Sequence, residues 1–440
     1  MMKRLWIVPL VFVLGCGGGG GLLADRVVVI GVDGLDPELF ATLRERGELP
    51  NFDRLLAEGV ASGLLVDEPI FSPRIWTSIF TGFRSEHHGI ESFTLPSGEE
   101  GRRVPVTSNL VKRRRVWDIF GDKGLGVGVV GHWLTWPAEP VNGFLLSFYT
   151  WPPSQKFEKE WAPSADWDTV GFRTWPEGIL GEVDEAVKNK RYVRWMDVEG
   201  STQMTNELKW YLRKDLDMVN AGLALYDRDR PRFFTLYLES PDFYSHKLWL
   251  FHRYNEFYRH NGSLEGLEEP ERTPPPMWLG EMGPMVANTY KYADKVLGLV
   301  LERVDLSKDA VIVVSDHGFS TFPDEPELHV GDERYVKMPF WHDDTGLFVA
   351  AGPPFRKGGR GPDLRPEDVT PVLLAVTGVP RGEDMDGRAP EGLFDEAFMK
   401  KHPVRSVPTY ETGEAAGGGA VEAPFNEAVL EQLRSLGYLE

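Results

Sequence analysis

Short apolar runs of strand length recur along the chain, and segments with helical spacing of apolar positions separate them. The run RVVVIGV (26–32) is apolar after its first residue, which is typical of a strand buried on both faces of a sheet. A helix is predicted to follow, because Asp36 and Pro37 suit its N-cap and first position and Gly47 suits its end. Further strands are predicted at GVGVVG (126–131), RFFTLYLE (232–239), AVIVVS (310–315) and GLFVAAG (346–352).

Helical patterns alternate with these strands. They lie near residues 51–59, 115–123, 289–304 and 371–377. Strands that alternate with helices predict a three-layer α/β sandwich with a mostly parallel central sheet, and we assign residues 26–403 to it.

Two regions interrupt the alternation, at about 146–225 and 250–285, and both are rich in Trp, Tyr, Pro and Glu. We predict that they are insertions above the carboxyl ends of the strands, where open α/β sheets bind ligands. Beyond the domain, the Pro-, Gly- and Ala-rich residues 404–422 are predicted to be loose. Residues 423–440 are predicted to carry an amphipathic helix that docks on the domain.

The N-terminus has the pattern of a signal peptide. Basic residues precede an apolar run that is too short to span a bilayer, and VLGC, which ends at Cys16, resembles the lipobox of bacterial lipoproteins. Residues 1–16 would then be the signal peptide with its lipobox, and residues 17–25 would be a glycine-rich tether. The protein would be a lipid-anchored protein of the cell envelope, either periplasmic or on the outer surface. The alternative is a signal peptide with an incidental cysteine. Because Cys16 is the single cysteine, no internal disulfide is possible.

The net charge of −19 argues against one class of partner. A surface this acidic repels nucleic acid, so no nucleic-acid partner is expected.

The stretch FSPRIWTSIFTG (71–82) places Ser72 directly before Pro73 at the start of a helical pattern. Ser72 could be the N-cap of that helix. It could also be a nucleophile at the helix N-terminus, where backbone N–H groups and the helix dipole favour a phosphoryl group.

Carboxylates and imidazoles lie near the ends of the predicted strands. We expect them to converge, because the ends of parallel strands share one edge of the sheet. Mixed Asp and His donors suit Zn²⁺ or Mn²⁺, and phosphoryl transfer commonly uses two metals about 3.5–4 Å apart. The candidate residues are Asp33, Asp242, His246, Asp316, His317 and His342.

Several motifs in this order resemble the alkaline phosphatase superfamily, above all its type I phosphodiesterase/nucleotide pyrophosphatase branch. They are VVVIGVDG, SPRIWTSIFTG, HGI (88–90), DFYSH, SDHGF and HDDTGLFVAAGP. EDVTPVLLAVTGVP with DMDGR (384–388) resembles the C-terminal signature of that branch. The resemblance covers roughly residues 26–145 and 232–395.

The resemblance implies a metal-dependent phosphoric ester hydrolase, with a phosphodiesterase favoured. Ser72 takes the place of the family's nucleophile and would form a phosphoserine intermediate. The resemblance implies two divalent ions, most fittingly Zn²⁺ and otherwise Mn²⁺. One would be held by Asp33, Asp316, His317 and Ser72, and the other by Asp242, His246 and His342. The substrate would be a phosphate-ester small molecule or an envelope component.

The sequence departs from the family pattern in ways that leave alternatives open. Nucleotide pyrophosphatases carry an Asn shortly after HGI, but here Glu91 follows, which puts nucleotide substrates in doubt. Arg74 either supplies the missing phosphoryl contact or is a surface residue. His329 competes with His342 as a metal ligand. SPRIW does not match the sulfatase pattern, so a sulfatase is not expected.

Other functions remain possible on the same residues. These are a phospho-headgroup transferase, a phosphomonoesterase and a lipoprotein that binds a ligand without turnover. Aromatic residues of the insertions either hold the second ester group of a diester or only pack against the domain. They are Tyr149, Trp151, Trp161, Trp167, Trp175, Phe243, Tyr244 and Trp249.

Overall fold

A computed structural model of the protein describes most of the chain. The described residues are 23–97, 102–151, 171–194, 206–261, 282–321, 327–330, 333–336, 340–412, 419–422, 426–436 and 438–439. The predicted signal peptide with Cys16 and most of the glycine tether lie outside them, as do Trp161 and Trp167. The predictions made for those residues therefore remain predictions.

An eight-stranded sheet forms the centre of the domain. The strand Val27–Val32 pairs in parallel with Phe233–Leu238 on one side and Ala310–Val314 on the other, and all its residues are buried. Thr345–Ala351 and Thr174–Trp175 run antiparallel to their neighbours. The order across the sheet is Gly59–Leu65, Thr345–Ala351, Ala310–Val314, Val27–Val32, Phe233–Leu238, Val127–Val130, Gly143–Leu146 and Thr174–Trp175.

Helices cover both faces of this sheet, which confirms the predicted three-layer sandwich. Val28 and Ile30 of the first strand lie in one hydrophobic cluster, and Val27 and Val29 lie in another, because successive side chains of a strand point to opposite faces. The first cluster includes buried residues of helices Pro37–Glu45, Pro50–Ala57, Ile179–Lys188, Asn206–Asp229, Ser240–Asn261 and Met285–Leu301. The second includes those of helices Ser72–Thr81, Val116–Asp122, Val369–Thr377 and Asn426–Ser435.

Short helices, 3₁₀ turns and two-stranded pairs complete the described part of the chain. Short helices are Ser85–His88 and Glu396–Lys401, and single 3₁₀ turns are Ser108–Leu110, Pro366–Asp368 and Glu391–Leu393. Two-stranded pairs join Thr94–Pro96 to Arg103–Pro105, Gly318–Thr321 to Phe340–Asp343, Glu327–Val330 to Glu333–Val336, and Arg381–Gly382 to Ser406–Val407.

The helix after the first strand begins as the sequence predicts. The Leu39 N–H donates to Asp36 Oδ1 at 2.7 Å, and Pro37 is the first helical residue. Burial raises the pKa of the Asp36 carboxyl to about 6. This cap fixes the turn that leads away from the end of the central strand.

Part of the predicted insertion at 146–225 belongs to the sandwich itself. Helix Asn206–Asp229 packs against the strands Phe233–Leu238 and Val127–Val130. Its buried surface includes the polar residues Lys214, Asp215 and Asp217, which obscured the apolar periodicity of the helix in the sequence. The charged residues are buried because tertiary partners satisfy them, and no local pattern reveals those partners.

The chain beyond residue 403 lies against the domain wherever it is described. Residues 404–412 are not loose there, because Ser406–Val407 pairs with Arg381–Gly382 and Tyr410 donates its hydroxyl to the Pro380 carbonyl at 2.6 Å. Helix Asn426–Ser435 buries Val429 and Leu433 in the second cluster. None of the helices in the described part of the chain combines the length and the apolar character that a bilayer crossing needs.

Candidate active site

The predicted site residues come from neighbouring elements at one edge of the sheet. Asp33 follows the central strand, and Asp316 lies two residues after the adjacent parallel strand Ala310–Val314. Asp242 lies in the first turn of helix Ser240–Asn261. His342 lies on the strand Phe340–Asp343, opposite Phe319. The strand ends therefore bring together residues that are far apart in the sequence.

A glycine allows this close approach between elements. Gly34 follows Asp33 and has a φ of 68°, a conformation that side chains other than glycine rarely adopt. A Cβ atom at this position would lie 2.9 Å from the Asp242 Cα. Gly34 therefore lets the helix that carries Asp242 reach the end of the central strand.

One donor group consists of Asp242, His246 and His342. Asp242 and His246 share one face of their helix, because they are four residues apart. The Asp242 Oδ1 lies 3.4 Å from His246 Nε2 and 3.3 Å from His342 Nε2. The two Nε2 atoms are 2.9 Å apart. Three donor atoms this close together could bind one metal ion.

A second donor group surrounds His317. Its Nε2 lies 3.1 Å from Asp33 Oδ1, 3.4 Å from Asp316 Oδ2 and 3.9 Å from Asp242 Oδ1. The donor atoms of Asp33, Asp242 and His317 all lie within 4.8 Å of one another. Asp242 therefore belongs to both groups, a sharing that the motifs did not indicate, and Asp316 stands beside the second group.

Ser72 lies at the second group and does not cap its helix. Its Oγ is 3.5 Å from Asp33 Oδ1 and 3.4 Å from His317 Nε2. Helix Ser72–Thr81 begins at Ser72, the capping position is Phe71, and no side chain makes a capping hydrogen bond. The predicted N-cap role is therefore wrong, because the hydroxyl is directed toward the carboxylate and imidazole. The nucleophile hypothesis keeps its geometric support.

Backbone carbonyls fix the tautomers of two histidines. His317 Nδ1 lies 2.8 Å from the Gly318 carbonyl oxygen, and His342 Nδ1 lies 2.9 Å from that of Ile70. Both Nδ1 atoms therefore carry protons, and both Nε2 atoms face the site. Burial lowers the pKa of His342, so its Nε2 offers a lone pair; burial also lowers the pKa of His317, but Asp33 outweighs this effect and raises it. Metal-binding histidines are commonly oriented by such a hydrogen bond from the other ring nitrogen.

Two aromatic residues position Asp33, and the sequence analysis missed this role. The Tyr237 hydroxyl and the Trp76 indole N–H both donate to Asp33 Oδ2, the latter at 3.3 Å. Trp133 in turn donates its indole N–H to the Tyr237 hydroxyl at 2.9 Å. In the sequence Tyr237 and Trp76 are indistinguishable from core residues. The pairing of Tyr237 with Gly31 in the sheet, which a sequence does not reveal, places its hydroxyl here.

The electrostatics of the cluster favour a bound cation. Burial raises the pKa values of Asp242 and Asp316 well above the ordinary range, and the Asp33 charge adds to the effect. Burial also raises the pKa of Asp33, but contacts from His317 and Tyr237 outweigh it and lower that pKa. Burial lowers the pKa values of His246 and His342 well below the ordinary range, which keeps both rings neutral.

The residues present fit a divalent metal. Asp242 Oδ1 and Asp316 Oδ2 are buried and have no hydrogen-bond partner, which is costly for a carboxylate oxygen unless a cation lies beside it. The neutral imidazoles and carboxylates are the donors that Zn²⁺ binds in proteins. The donor chemistry therefore suits Zn²⁺ at both groups.

Arg74 is directed away from this cluster. Its guanidinium donates to the carbonyl oxygens of Asp67 at 2.7 Å and Pro69 at 3.0 Å, and to Ser85 Oγ at 3.3 Å. These local acceptors hold the side chain along the preceding loop. Of the two alternatives for Arg74, these contacts favour a residue that fixes the loop over a phosphoryl contact.

The predicted aromatic surface over the site is largely a packed core. Tyr149, Phe243, Tyr244 and Trp249 are all buried in the hydrophobic clusters. They do not form an open surface for a second ester group. Trp151 and Trp175 are partly buried and pack against the same clusters.

His329 and His342 were the two alternatives for one metal ligand. His342 Nε2 lies in the first donor group. His329 is on the strand Glu327–Val330, but its side chain lies outside the described residues. The geometry therefore supports His342.

A family model described as type I phosphodiesterase/nucleotide pyrophosphatase matches residues 27–389. The chain belongs to the type I phosphodiesterase/nucleotide pyrophosphatase family. The matched range contains Ser72 and every residue of both donor groups. The protein is accordingly a phosphoric ester hydrolase of the alkaline phosphatase superfamily, and members of its family depend on metal ions, generally Zn²⁺.

Solved structures with a similar arrangement are distant in sequence. Murine ectonucleotide pyrophosphatase/phosphodiesterase 5 is 12% identical, with a TM-score of 0.44 over 79% of this chain and 94% of that chain. Phosphonoacetate hydrolase from Sinorhizobium meliloti 1021, solved with phosphonoformate, is 16% identical, with a TM-score of 0.39 over 68% of this chain and 58% of that chain. No curated protein matches the chain. The family assignment therefore rests on the family match.

Proposed function

We propose that this family member is a phosphodiesterase that uses Ser72 as nucleophile and two divalent cations, most fittingly Zn²⁺. The observation that carries the proposal is the position of the Ser72 hydroxyl, 3.4 Å from His317 Nε2, next to two donor groups that share Asp242. A nucleophilic serine needs such a site to activate its hydroxyl and stabilise charge on the phosphoryl oxygens.

Each donor group would hold one cation. His317, Asp33 and Asp316 would hold the ion beside Ser72, and Asp242 would contribute to it from the neighbouring helix. His246 and His342, with Asp242, would hold the other. When bound, such cations lower the pKa of a coordinated hydroxyl or water and neutralise phosphoryl oxygens.

Ser72 would attack phosphorus while the ester oxygen on the opposite side leaves, and water would then hydrolyse the phosphoserine. Ser72 is the first residue of a ten-residue helix, so a phosphoryl group on its oxygen would lie at the positive end of the helix dipole. Tyr237 and Trp76 hold Asp33 in place, and backbone carbonyls hold the two imidazoles. The site is therefore organised before substrate arrives.

A diester substrate is favoured over a monoester, because a monoester brings an additional negative charge into the site. A monoesterase must stabilise an extra negative charge, usually with a cation aimed into the site. Arg74, the basic residue beside the nucleophile, binds the carbonyls of Asp67 and Pro69 instead. The preference for diesters therefore rests on the direction of Arg74, and the buried aromatic residues do not support it.

The test is a hydrolysis panel with the purified protein at one metal loading, with Zn²⁺ or Mn²⁺. We expect kcat/KM for bis-p-nitrophenyl phosphate to exceed that for p-nitrophenyl phosphate, with no turnover of an aryl sulfate. A ratio well below one would show a phosphomonoesterase. Phosphoryl transfer to an added alcohol would show a transferase, and metal-loaded protein without any turnover would show a binding protein.

We also propose that the enzyme acts in the cell envelope, anchored by a lipid on Cys16. The support is the sequence of residues 1–16, in which the single cysteine stands at the end of a lipobox-like motif. A lipid anchor would place the catalytic domain close to substrates of the envelope.

A further inference from the structure

The chain reaches back into the site with its last residues. Tyr438 follows the helix Asn426–Ser435, and its hydroxyl oxygen lies 2.7 Å from His246 Nε2 and 2.8 Å from His342 Nε2. Both atoms belong to the first donor group. A residue near the chain end therefore contacts the atoms that would bind a metal ion.

The Tyr438 oxygen adds a fourth possible donor beside the two imidazoles of this group. The two Nε2 atoms lie 2.9 Å apart. The Tyr438 oxygen lies 2.7 and 2.8 Å from them, and Asp242 Oδ1 lies 3.4 and 3.3 Å from them. Donors at about 2.0–2.1 Å from Zn²⁺ in a tetrahedron are about 3.3 Å apart. The separations between the two Nε2 atoms and the Tyr438 oxygen are somewhat shorter than this, so small outward shifts of these side chains would let them bind one ion.

Contacts other than those of its hydroxyl also hold Tyr438 in position. Its N–H donates to the Leu433 carbonyl at 2.9 Å, and its ring lies 4.2 Å from the Phe93 ring and 6.3 Å from the Phe71 ring, measured between centroids. Leu433 is buried in the second cluster and anchors the preceding helix. Removal of the hydroxyl alone should therefore leave the segment in place.

We propose that Tyr438 is a fourth protein donor at the group of Asp242, His246 and His342, and that it closes the position that substrate needs. Catalytic zinc sites keep a position open beside three protein ligands, whereas sites with four protein ligands are closed. A phosphoryl or leaving-group oxygen must therefore displace the Tyr438 oxygen. The C-terminal segment thus limits access to the site, an inference that rests on the proposed metal-dependent function.

The test compares full-length wild-type protein with Tyr438→Phe after loading with Zn²⁺. Tyr410→Phe is the control, because it also removes one hydroxyl from the C-terminal region but lies outside the site. Metal content is measured first, then the affinity for inorganic phosphate by titration calorimetry, then kcat/KM for bis-p-nitrophenyl phosphate. Visible spectra of the Co²⁺-loaded proteins report whether the donor set changes.

We expect Tyr438→Phe to bind phosphate about tenfold more tightly if the closed form makes up nine-tenths of the wild-type molecules, since a ligand's apparent affinity scales with the open fraction. The Co²⁺ spectrum should change, kcat/KM should rise, and Tyr410→Phe should match wild type. Equal or weaker phosphate binding by Tyr438→Phe overturns the inference, and weaker binding would make Tyr438 a phosphate contact. If Tyr438→Phe binds phosphate no more tightly but still holds two metal ions, only the inference about Tyr438 fails and the proposed function stands. If the wild-type protein binds no metal, both the inference and the proposed function are contradicted.

Discussion

The substitution Ser72→Ala removes one hydroxyl from the centre of the site and changes little else. The Ser72 Oγ makes contacts of 3.5 and 3.4 Å, at the limit of hydrogen bonding, and it is not the helix cap. A well-formed hydrogen bond contributes about 1 kcal/mol, so we expect the free energy of unfolding to fall by less than about 1 kcal/mol. Metal content should stay the same, because carboxylates and imidazoles provide the other donors.

The effect on catalysis should be far larger than the effect on stability. Loss of the nucleophile forces direct attack by water, and we expect kcat to fall by at least about 10³-fold, which corresponds to about 4 kcal/mol of activation free energy. Ser72→Thr keeps a hydroxyl at the same position and should retain measurable turnover. Ser78→Ala is the matched control on the same helix, where Ser78 Oγ contacts His88 Nε2 at 2.9 Å outside the donor groups.

The assay follows hydrolysis of bis-p-nitrophenyl phosphate at fixed metal loading, together with elemental analysis and thermal unfolding. Rapid quenching should trap a phosphorylated protein in the wild type and none in Ser72→Ala. If Ser72→Ala retained turnover within about tenfold of wild type while Ser78→Ala lost it, the nucleophile assignment would be wrong. If all variants lost metal, the role of Ser72 would instead be structural.

Three further predictions concern metal, pH and location. Asp242→Asn should lose both ions and His246→Ala only one, since Asp242 serves both donor groups; two ions in Asp242→Asn by elemental analysis would exclude the sharing. Burial raises the pKa of Asp36 to about 6 from 3.8, so the folded protein binds that proton more tightly and stability falls as pH rises between these values. Asp36→Asn keeps a good N-cap. It should remove up to about 3 kcal/mol of the change in the free energy of unfolding between about pH 4 and about pH 7, as measured by urea denaturation, and an unchanged pH profile would contradict this. Cys16→Ser should release the protein from the membrane fraction, and unchanged fractionation on immunoblots would argue against a lipid anchor.

The central strands and the donor residues at their ends could be predicted, because both have local causes in the sequence. An uninterrupted apolar run such as Val27–Val32 has no other stable place than a sheet covered on both faces. Parallel strands also bring their carboxyl ends to one edge, so Asp33 and Asp316 had to lie near each other. Residue type and strand direction together therefore predicted the donor cluster.

Errors arose where tertiary partners decide the local structure. Lys214 and Asp215 are buried within a helix because Lys214 pairs with Glu239 at 2.6 Å and Asp215 accepts the backbone N–H groups of Glu239 and Ser240. A helix with such buried charges lacks a clean apolar stripe. The sequence left the role of Arg74 open for a similar reason, since the carbonyl oxygens that accept its hydrogen bonds are brought to it by the folded loop.

Sequence spacing also cannot show that two donor groups share a residue. The motifs assign Asp242 to one ion, yet its Oδ1 lies within 3.9 Å of His317 Nε2 as well as 3.3 Å from His342 Nε2. With one cation in each donor group, the Asp242 carboxylate would lower their mutual repulsion, because its negative charge would attract both. Binding of one ion would also keep Asp242 ionised, despite the burial that raises its pKa, and so prepare the ligand for the other ion. The two cations should therefore bind cooperatively, which separate sets of ligands would not require.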